Sequence, residues 1–205
     1  MRQAERRAQT RQRLLDAAAE VLARRGFHTA TLDEIADAAG YTKGAVYSNF
    51  SSKVELFLAL LDRHLDDQIA HVERLTATAS RERADVQTEL RSASAKHMSS
   101  GSAFGLLMLE FWLYAARNDE VKAALATRYR RMRERLAAAI TENAGESQAT
   151  ETRSPDEAAT LVLALDAGLF LQTILDPDAV TPELRARAIT DVLYSAHGDV
   201  RSEKF

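Results

Sequence analysis

Residues 31–53 carry a run of hydroxyl, amide and ammonium side chains on short predicted helices. Lys, Tyr and Thr side chains bind phosphate oxygens, and compact polar side chains reach the edges of bases. The residue types in this run therefore suit contacts with a nucleic acid. They do not suit catalysis, since the sequence has no Gly-rich phosphate loop, no nucleophile elbow and no His-Glu-x-x-His motif.

Two short predicted helices hold this run. Thr31 is followed three positions later by Glu34, the pattern of a capping box that opens a helix, and Gly40 ends that helix. Thr42 is expected to cap the next helix, which is predicted to run through Phe50. Because a turn containing glycine lets the two helices cross closely, we predict a helix-turn-helix at residues 31–50.

The helix-turn-helix resembles that of the TetR family of bacterial regulators, after an amphipathic first helix that ends at Gly26 and Phe27. The resemblance covers about the first 60 residues and is carried by Thr31, Ile35, Ala36, Ala39, Gly40, Gly44, Tyr47, Phe50, Lys53 and Leu56. Two positions depart from the family pattern. Tyr41 stands where a small aliphatic residue is usual, and Asn49 replaces a common histidine.

The resemblance implies a role for each polar residue of the motif. Thr31, Tyr47 and Lys53 would bind phosphates. The residues that would line the major groove are Thr42, Lys43, Gly44, Ala45, Ser48 and Asn49. Arg6, Arg7 and Arg11 are expected on a flexible N-terminal arm that reaches the DNA backbone or the minor groove. The alternatives are a half-buried structural role for Tyr47 and plain surface charges for the two lysines.

The composition favours an all-α protein. Only 8 Gly and 3 Pro occur in 205 residues, whereas the turns of a β-rich fold need both. Without Cys, disulfides and thiolate chemistry are excluded. The first 53 residues hold nine Lys and Arg against six Asp and Glu, and the remainder holds 18 against 24. A basic end on an acidic body suits an anionic partner such as DNA.

Apolar spacing predicts further helices after the motif. They are expected from residue 53 toward 79 and near 83–99, 103–117, 119–143, 155–175 and 182–196, with a polar loop over 143–155. The predicted fold class is therefore all-α. An N-terminal three-helix DNA-binding domain would cover 1–55, and a helical-bundle domain for ligand binding and dimerisation would cover 56–205.

The predicted helix at 155–175 is apolar around most of its circumference. A monomer would struggle to bury all of that surface, and family members are usually dimers. We therefore predict a homodimer interface, formed with the helix at 182–196, that contains Leu161, Ala164, Leu165, Gly168 and Leu169. The alternative is an ordinary central core helix.

A cluster of aromatic and sulfur-containing side chains on the 103–117 helix suggests an apolar ligand pocket. The resemblance implies a small-molecule effector, and the candidate residues are His97, Phe104, Met108, Phe111, Trp112, Tyr129 and Gln172, with Glu110 as a further polar group. For each of them, plain core packing is the alternative.

The predicted partners are double-stranded operator DNA with palindromic symmetry, a small apolar or amphipathic effector, and a second copy of the chain. No cofactor, metal or membrane is predicted, and the expected location is the cytoplasm. The longest apolar run, from Phe104 to Ala116, is too short to span a bilayer. The sequence therefore predicts a transcriptional repressor, and the alternative is an all-α interaction or ligand-binding protein that does not bind DNA.

Overall fold

The described part of the chain is helical throughout. The computed structural model describes residues 3–76, 83–100, 102–143 and 153–195, and none of these lies in a β-strand. The helices are α1 (Gln3–Thr29), α2 (Leu32–Ala39), α3 (Lys43–Tyr47), α4 (Lys53–Thr76), α5 (Arg83–Ser100), α6 (Ser102–Ala116), α7 (Asp119–Asn143), α8 (Pro155–Leu175) and α9 (Pro182–Ser195). The predicted all-α class is confirmed.

Contacts divide the chain into two compact units. The first comprises Met1–Asp66 with Ala103–Arg128, and the second comprises Asp67–Ser102 with Tyr129–Phe205. Helix α6 therefore belongs to the same unit as the helix-turn-helix, although it lies far from that motif in the sequence.

An aromatic cluster closes the core of the first unit. Phe27 at the end of α1, Phe57 on α4 and Phe111 on α6 are almost fully buried. The ring centroids of Phe57 and Phe111 are 4.1 Å apart, and those of Phe27 and Phe111 are 5.0 Å apart. Burial of one such ring contributes about 1.5–3 kcal/mol. The cluster therefore fixes α6 against the ends of α1 and α4.

A carboxylate on α6 stabilises the kink near the end of α1. Gly26 has φ 76° and ψ 165°, a conformation that favours glycine. The next backbone N–H, that of Phe27, donates to Glu110 Oε2 at 2.6 Å. A Cβ at Gly26 would lie 2.7 Å from Glu110 Oε1, so the close approach of the carboxylate also needs glycine.

The second unit contains the end of α4, the whole of α5, the part of α7 from Tyr129 onward, and helices α8 and α9. Its core contains Leu136, Ile140, Ala159, Val162 and Ile189. The Arg185 guanidinium on α9 donates from Nε to Asp166 Oδ1 on α8 at 2.9 Å, which ties the two helices together.

One face of α8 is left uncovered by the part of the chain that the structure describes. Leu161 and Leu171 are each 40% exposed and Leu175 is 82% exposed. In the part of the chain that the structure describes, α8 is also the one helix with the length and apolar composition needed to cross a membrane. A single helix of this kind is weak evidence for a membrane, because core helices of soluble proteins share these properties.

Two local expectations need correction. Helix α3 ends at Tyr47 and not at Phe50: Ser48 is its C-cap, and the next N–H, that of Asn49, donates to Val46 O at 2.9 Å, an i→i−3 bond that tightens the last turn. The N-terminal arm was expected to be flexible, but it is helical from Gln3, because Ala, Arg and Gln favour helix formation. The long helical part of α1 ends at Gly26 as predicted, since Gly26 is not helical, and a short helical segment follows as far as Thr29. Most of the predicted loop at 143–155 lies outside the described residues.

We predict that Gly26→Ala destabilises the protein by about 2–3 kcal/mol, because it combines backbone strain with a clash against Glu110. The midpoint of thermal unfolding, followed by circular dichroism, should fall by roughly 4–12 °C. Gly44→Ala is the matched control, since a Cβ there would meet only Thr42 Oγ1 at 3.9 Å. Equal midpoints for the two variants would contradict the prediction.

Candidate nucleic-acid interface

Helix α2 opens with the predicted capping box. Thr31 Oγ1 accepts from Glu34 N–H at 3.2 Å, and Glu34 Oε2 accepts from Thr31 N–H at 3.0 Å. The hydrogen bonds that the Thr31 backbone N–H and then its hydroxyl donate to the Glu34 carboxylate hold the pKa of Glu34 below its usual value, and the Arg25 guanidinium adds to the effect. Thr31 is thus exposed but already used as a helix cap.

A left-handed glycine makes the turn between α2 and α3. Gly40 has φ 70° and donates its N–H to Asp37 O at 3.1 Å, while Tyr41 N–H donates to Ala36 O at 2.9 Å. Thr42 then caps α3 by accepting from Ala45 N–H at 3.3 Å. The predicted roles of Thr31, Gly40 and Thr42 in the local structure are therefore confirmed.

Helix α3 separates an anchoring side from an exposed side. Val46 and, just beyond the helix, Phe50 are buried in the core of the first unit. Tyr47 is 56% exposed. Exposed next to it are Thr42, Lys43, Gly44 and Ser48, whereas Ala45 is half-buried. An exposed polar side on a helix anchored by apolar residues is the arrangement that a groove-reading helix needs.

Lys43 is paired with an acid of the preceding helix. Its ammonium group donates to the Asp33 carboxylate, and this contact raises the pKa of Lys43. Both side chains are largely exposed. Such a surface pair is weak, so Lys43 can exchange this partner for another anion.

Two of the predicted groove residues turn toward their own helix in this structure. Ser48 Oγ donates to Ala45 O at 2.9 Å, and Asn49 Nδ2 donates to the same carbonyl at 2.8 Å. The Asn49 Oδ1 atom is buried and has no hydrogen-bond partner among the described residues. A base contact by Asn49 stays a prediction, and it would require this side chain to turn outward.

Lys53 lies at the start of α4 and is bound within the first unit. Its Nζ donates to Ala30 O at 2.7 Å and to His28 O at 2.9 Å, and it lies 5.0 Å from the centre of the Phe27 ring. Burial lowers the pKa of Lys53. An ammonium group has three donors, so two carbonyls leave one donor for a phosphate.

The arginines of the N-terminal segment lie on α1. Arg6 is exposed. Arg7 donates to Ser48 O at 3.3 Å, and Arg11 donates to Asn49 O at 3.0 Å. Both carbonyls lie just beyond the C-terminal end of α3. Sequence reasoning missed these contacts, because they join residues about 40 positions apart.

The predicted ligand residues fall in both units. In the first unit Phe111 is fully buried in the aromatic cluster, Met108 is buried, and Phe104 and Trp112 are half-buried. The Phe104 and His64 rings lie 4.2 Å apart. In the second unit Tyr129 is half-buried and Gln172 is exposed, and the side chain of His97 lies outside the described residues. Ligand contact by these residues stays a prediction.

The predicted dimer residues lie along α8. Leu161, Ala164 and Gly168 are exposed. Leu165 and Leu169 are half-buried, and Leu165 packs against the core of the second unit.

No group of three or more His, Asp or Glu side chains that could hold a metal ion occurs within the described ranges.

Two family descriptions match the sequence. Residues 14–60 match "Bacterial regulatory proteins, tetR family", and residues 100–196 match "BetI-type transcriptional repressor, C-terminal". The "HTH-type transcriptional activator FasR" of Mycolicibacterium smegmatis is 43% identical over 97 residues, which cover 46% of this chain and 44% of that protein. The chain spans less than half the length of this relative and of the next curated relatives it matches.

Solved structures share the fold. The transcriptional regulator FadR from Bacillus subtilis in complex with stearoyl-CoA has a TM-score of 0.68 and 18% identity, over 90% of this chain and 98% of that chain. The SmeT–triclosan complex has a TM-score of 0.69 and 23% identity, over 91% of this chain and 90% of that chain. The two family matches confirm the resemblance seen in the helix-turn-helix, and the chain belongs to the TetR family of bacterial regulatory proteins.

Proposed function

We propose that the protein is a sequence-specific DNA-binding regulator of transcription that acts as a repressor. The observation that carries this proposal is the exposed polar side of α3, which is anchored from behind by Val46 and Phe50. The match of residues 100–196 to a repressor C-terminal region supports the direction of regulation. Residues 1–55 would form the DNA-binding domain, and 56–205 would sense a ligand and dimerise.

The polar residues of the motif divide into two proposed sets. Tyr47, Thr31 and the remaining donor of Lys53 would bind phosphates, with Arg6 and Arg7 reaching the backbone from the first turns of α1. Base edges would be read by Thr42, Lys43, Gly44, Ala45 and Ser48, joined by Asn49 if its amide turns outward. Arg11 is left out of both sets because its guanidinium lies over the Phe50 ring.

The effector would be a small apolar or amphipathic molecule. Stearoyl-CoA and triclosan are bound by two neighbours of the same fold, and α6 carries the aromatic residues expected of an apolar site. Because α6 contacts α1 through Phe111 and Glu110, a ligand that binds one arrangement of α6 better would also change the DNA-binding helices.

A homodimer would use the uncovered face of α8. Leu161, Ala164, Gly168, Leu171 and Leu175 lie on one side of that helix and are all exposed. An exposed apolar stripe of this length is typical of an interface. Two recognition helices about 34 Å apart would then read a palindromic operator. A homodimer with this stripe buried would be a soluble cytoplasmic protein that does not contact the membrane.

The DNA-binding proposal is tested with operator DNA selected from a random pool. We expect Tyr47→Phe to weaken binding to selected and unrelated DNA alike, by about tenfold, because it removes one hydrogen bond to a phosphate. We expect Lys43→Ala to weaken discrimination at one or two base pairs, by about 1–3 kcal/mol. Both effects are measured by gel-shift titration.

Lys122→Ala is the control, since Lys122 is an exposed lysine on α7 in the same unit. This variant should bind DNA with the affinity of the unaltered protein. In both proteins, affinity for the operator should fall steeply as the salt concentration rises. If Lys43→Ala and Tyr47→Phe had the same effect on every DNA sequence, the two sets would be wrongly assigned. If the selection yielded no preferred sequence, the proposed function would fail.

The dimer proposal is tested by Gly168→Glu. A Cβ at Gly168 would meet nothing within 4 Å in the chain alone, so the fold should tolerate the substitution. We expect sedimentation to shift from dimer to monomer, because a charge buried in an apolar interface is unfavourable. Ala126→Glu, at an exposed position of α7, adds the same charge as a control and should leave the dimer intact.

The effector proposal is tested with stearoyl-CoA, using the fluorescence of Trp112, the one tryptophan of the sequence. We expect the emission to change over the concentration range in which the compound releases operator DNA. Coenzyme A without the acyl chain is the control and should do neither. Release of DNA with constant Trp112 emission would argue against a ligand site near α6.

A further inference from the structure

The Arg11 guanidinium makes two contacts with the segment that follows α3. Its Nη1 donates to Asn49 O at 3.0 Å, and its Cζ lies 4.2 Å from the centre of the Phe50 ring. Arg11 is half-buried and Phe50 is 1% exposed. A planar guanidinium can donate in its plane and stack with its face at the same time, which an ammonium group cannot do.

A side chain of α4 also holds the same segment. Glu55 Oε2 accepts from Ser51 N–H at 2.7 Å and from Ser51 Oγ at 2.6 Å. These hydrogen bonds lower the pKa of Glu55, and the charge of Arg11 adds to the effect. Residues 49–51 are thus bound by one side chain from α1 and one from α4.

Helix α3 needs this support because it is only five residues long. A helix that short is unstable by itself, so its direction depends on what holds its two ends. Thr42 holds the N-terminal end. At the other end the Asn49 side-chain amide donates to Ala45 O at 2.8 Å. The residue whose carbonyl accepts from Arg11 is therefore also hydrogen-bonded to α3.

We propose that Arg11 is a positioning residue that sets the direction of α3, and that it does not itself contact DNA. This inference rests on the proposed function and deepens it, because it names a residue on which recognition of the operator depends without touching it. The interaction of Arg11 with Asn49 and Phe50 holds α3 in the orientation that places its base-contacting side chains against the edges of the bases. Loss of that interaction lowers specific affinity and leaves general attraction to phosphates intact.

The test compares Arg11→Gln with Arg13→Gln, which removes the same charge from an exposed position of the same helix. Affinities for the selected operator and for an unrelated duplex are measured across a range of salt concentrations, at a temperature where circular dichroism shows each variant folded. We expect Arg11→Gln to lose about tenfold in operator affinity. Its affinity for unrelated DNA and its salt dependence should equal those of Arg13→Gln.

Direct phosphate contact by Arg11 would give a different result. Operator and unrelated DNA would then weaken equally, and the slope of log affinity against log salt would fall by about 0.9 relative to Arg13→Gln. That result, or unchanged operator affinity, would overturn the inference. If Arg11→Gln does not fold, Arg11→Lys replaces it. The lysine keeps the charge but cannot stack and donate together, so specific affinity should still fall while the salt slope stays constant.

A second measurement needs no DNA. Hydrogen exchange of the backbone amides of residues 46–50 should accelerate in Arg11→Gln, while exchange within α2 stays unchanged. Unchanged exchange at residues 46–50 would overturn the inference by itself. Failure of the unaltered protein to select any operator would instead refute the proposed function, and the exchange experiment would still decide whether Arg11 holds α3.

Discussion

The first unit depends on the kink of the chain at Gly26 and Phe27. The φ of 76° at Gly26 turns the chain out of the long part of α1, and the Phe27 ring is then placed against Phe57 and Phe111. The polar groups around this kink are bound from two other helices. Glu110 on α6 accepts from Phe27 N–H, and Lys53 on α4 donates to the His28 and Ala30 carbonyls. One short segment therefore joins α1, α4 and α6.

The same pattern of support explains how a five-residue helix can present a defined surface. Its core side, Val46 and the adjacent Phe50, is buried, but burial alone does not set the direction of so short an element. Hydrogen bonds at both ends add the missing constraint. The exposed side of α3 is accordingly a product of residues on α1 and α4 as much as of its own sequence.

The second unit shows how an apolar sequence can mislead about burial. Helix α8 is apolar around its circumference, yet one stripe packs on α7 and α9 while the other, which includes Leu161 and Leu175, is exposed. Because hydropathy sums the two stripes, it cannot separate a core helix from a helix with an uncovered face. The contacts with Leu136, Ile140 and Ile189 identify the buried stripe of α8 and so distinguish it from the exposed one.

The sequence by itself determined the elements whose signals are local. The capping box of Thr31 and Glu34, the left-handed Gly40 and the Thr42 cap were all predicted, because each depends on residues within a few positions of one another. The bounds of the helices after α4 followed from apolar spacing for the same reason. The tertiary structure alone decided the contacts over long sequence distances. Arg11 with Asn49, Lys53 with His28 and Glu110 with Phe27 join residues 38, 25 and 83 positions apart. No local pattern encodes such a pair, since its partners meet only after the core has packed.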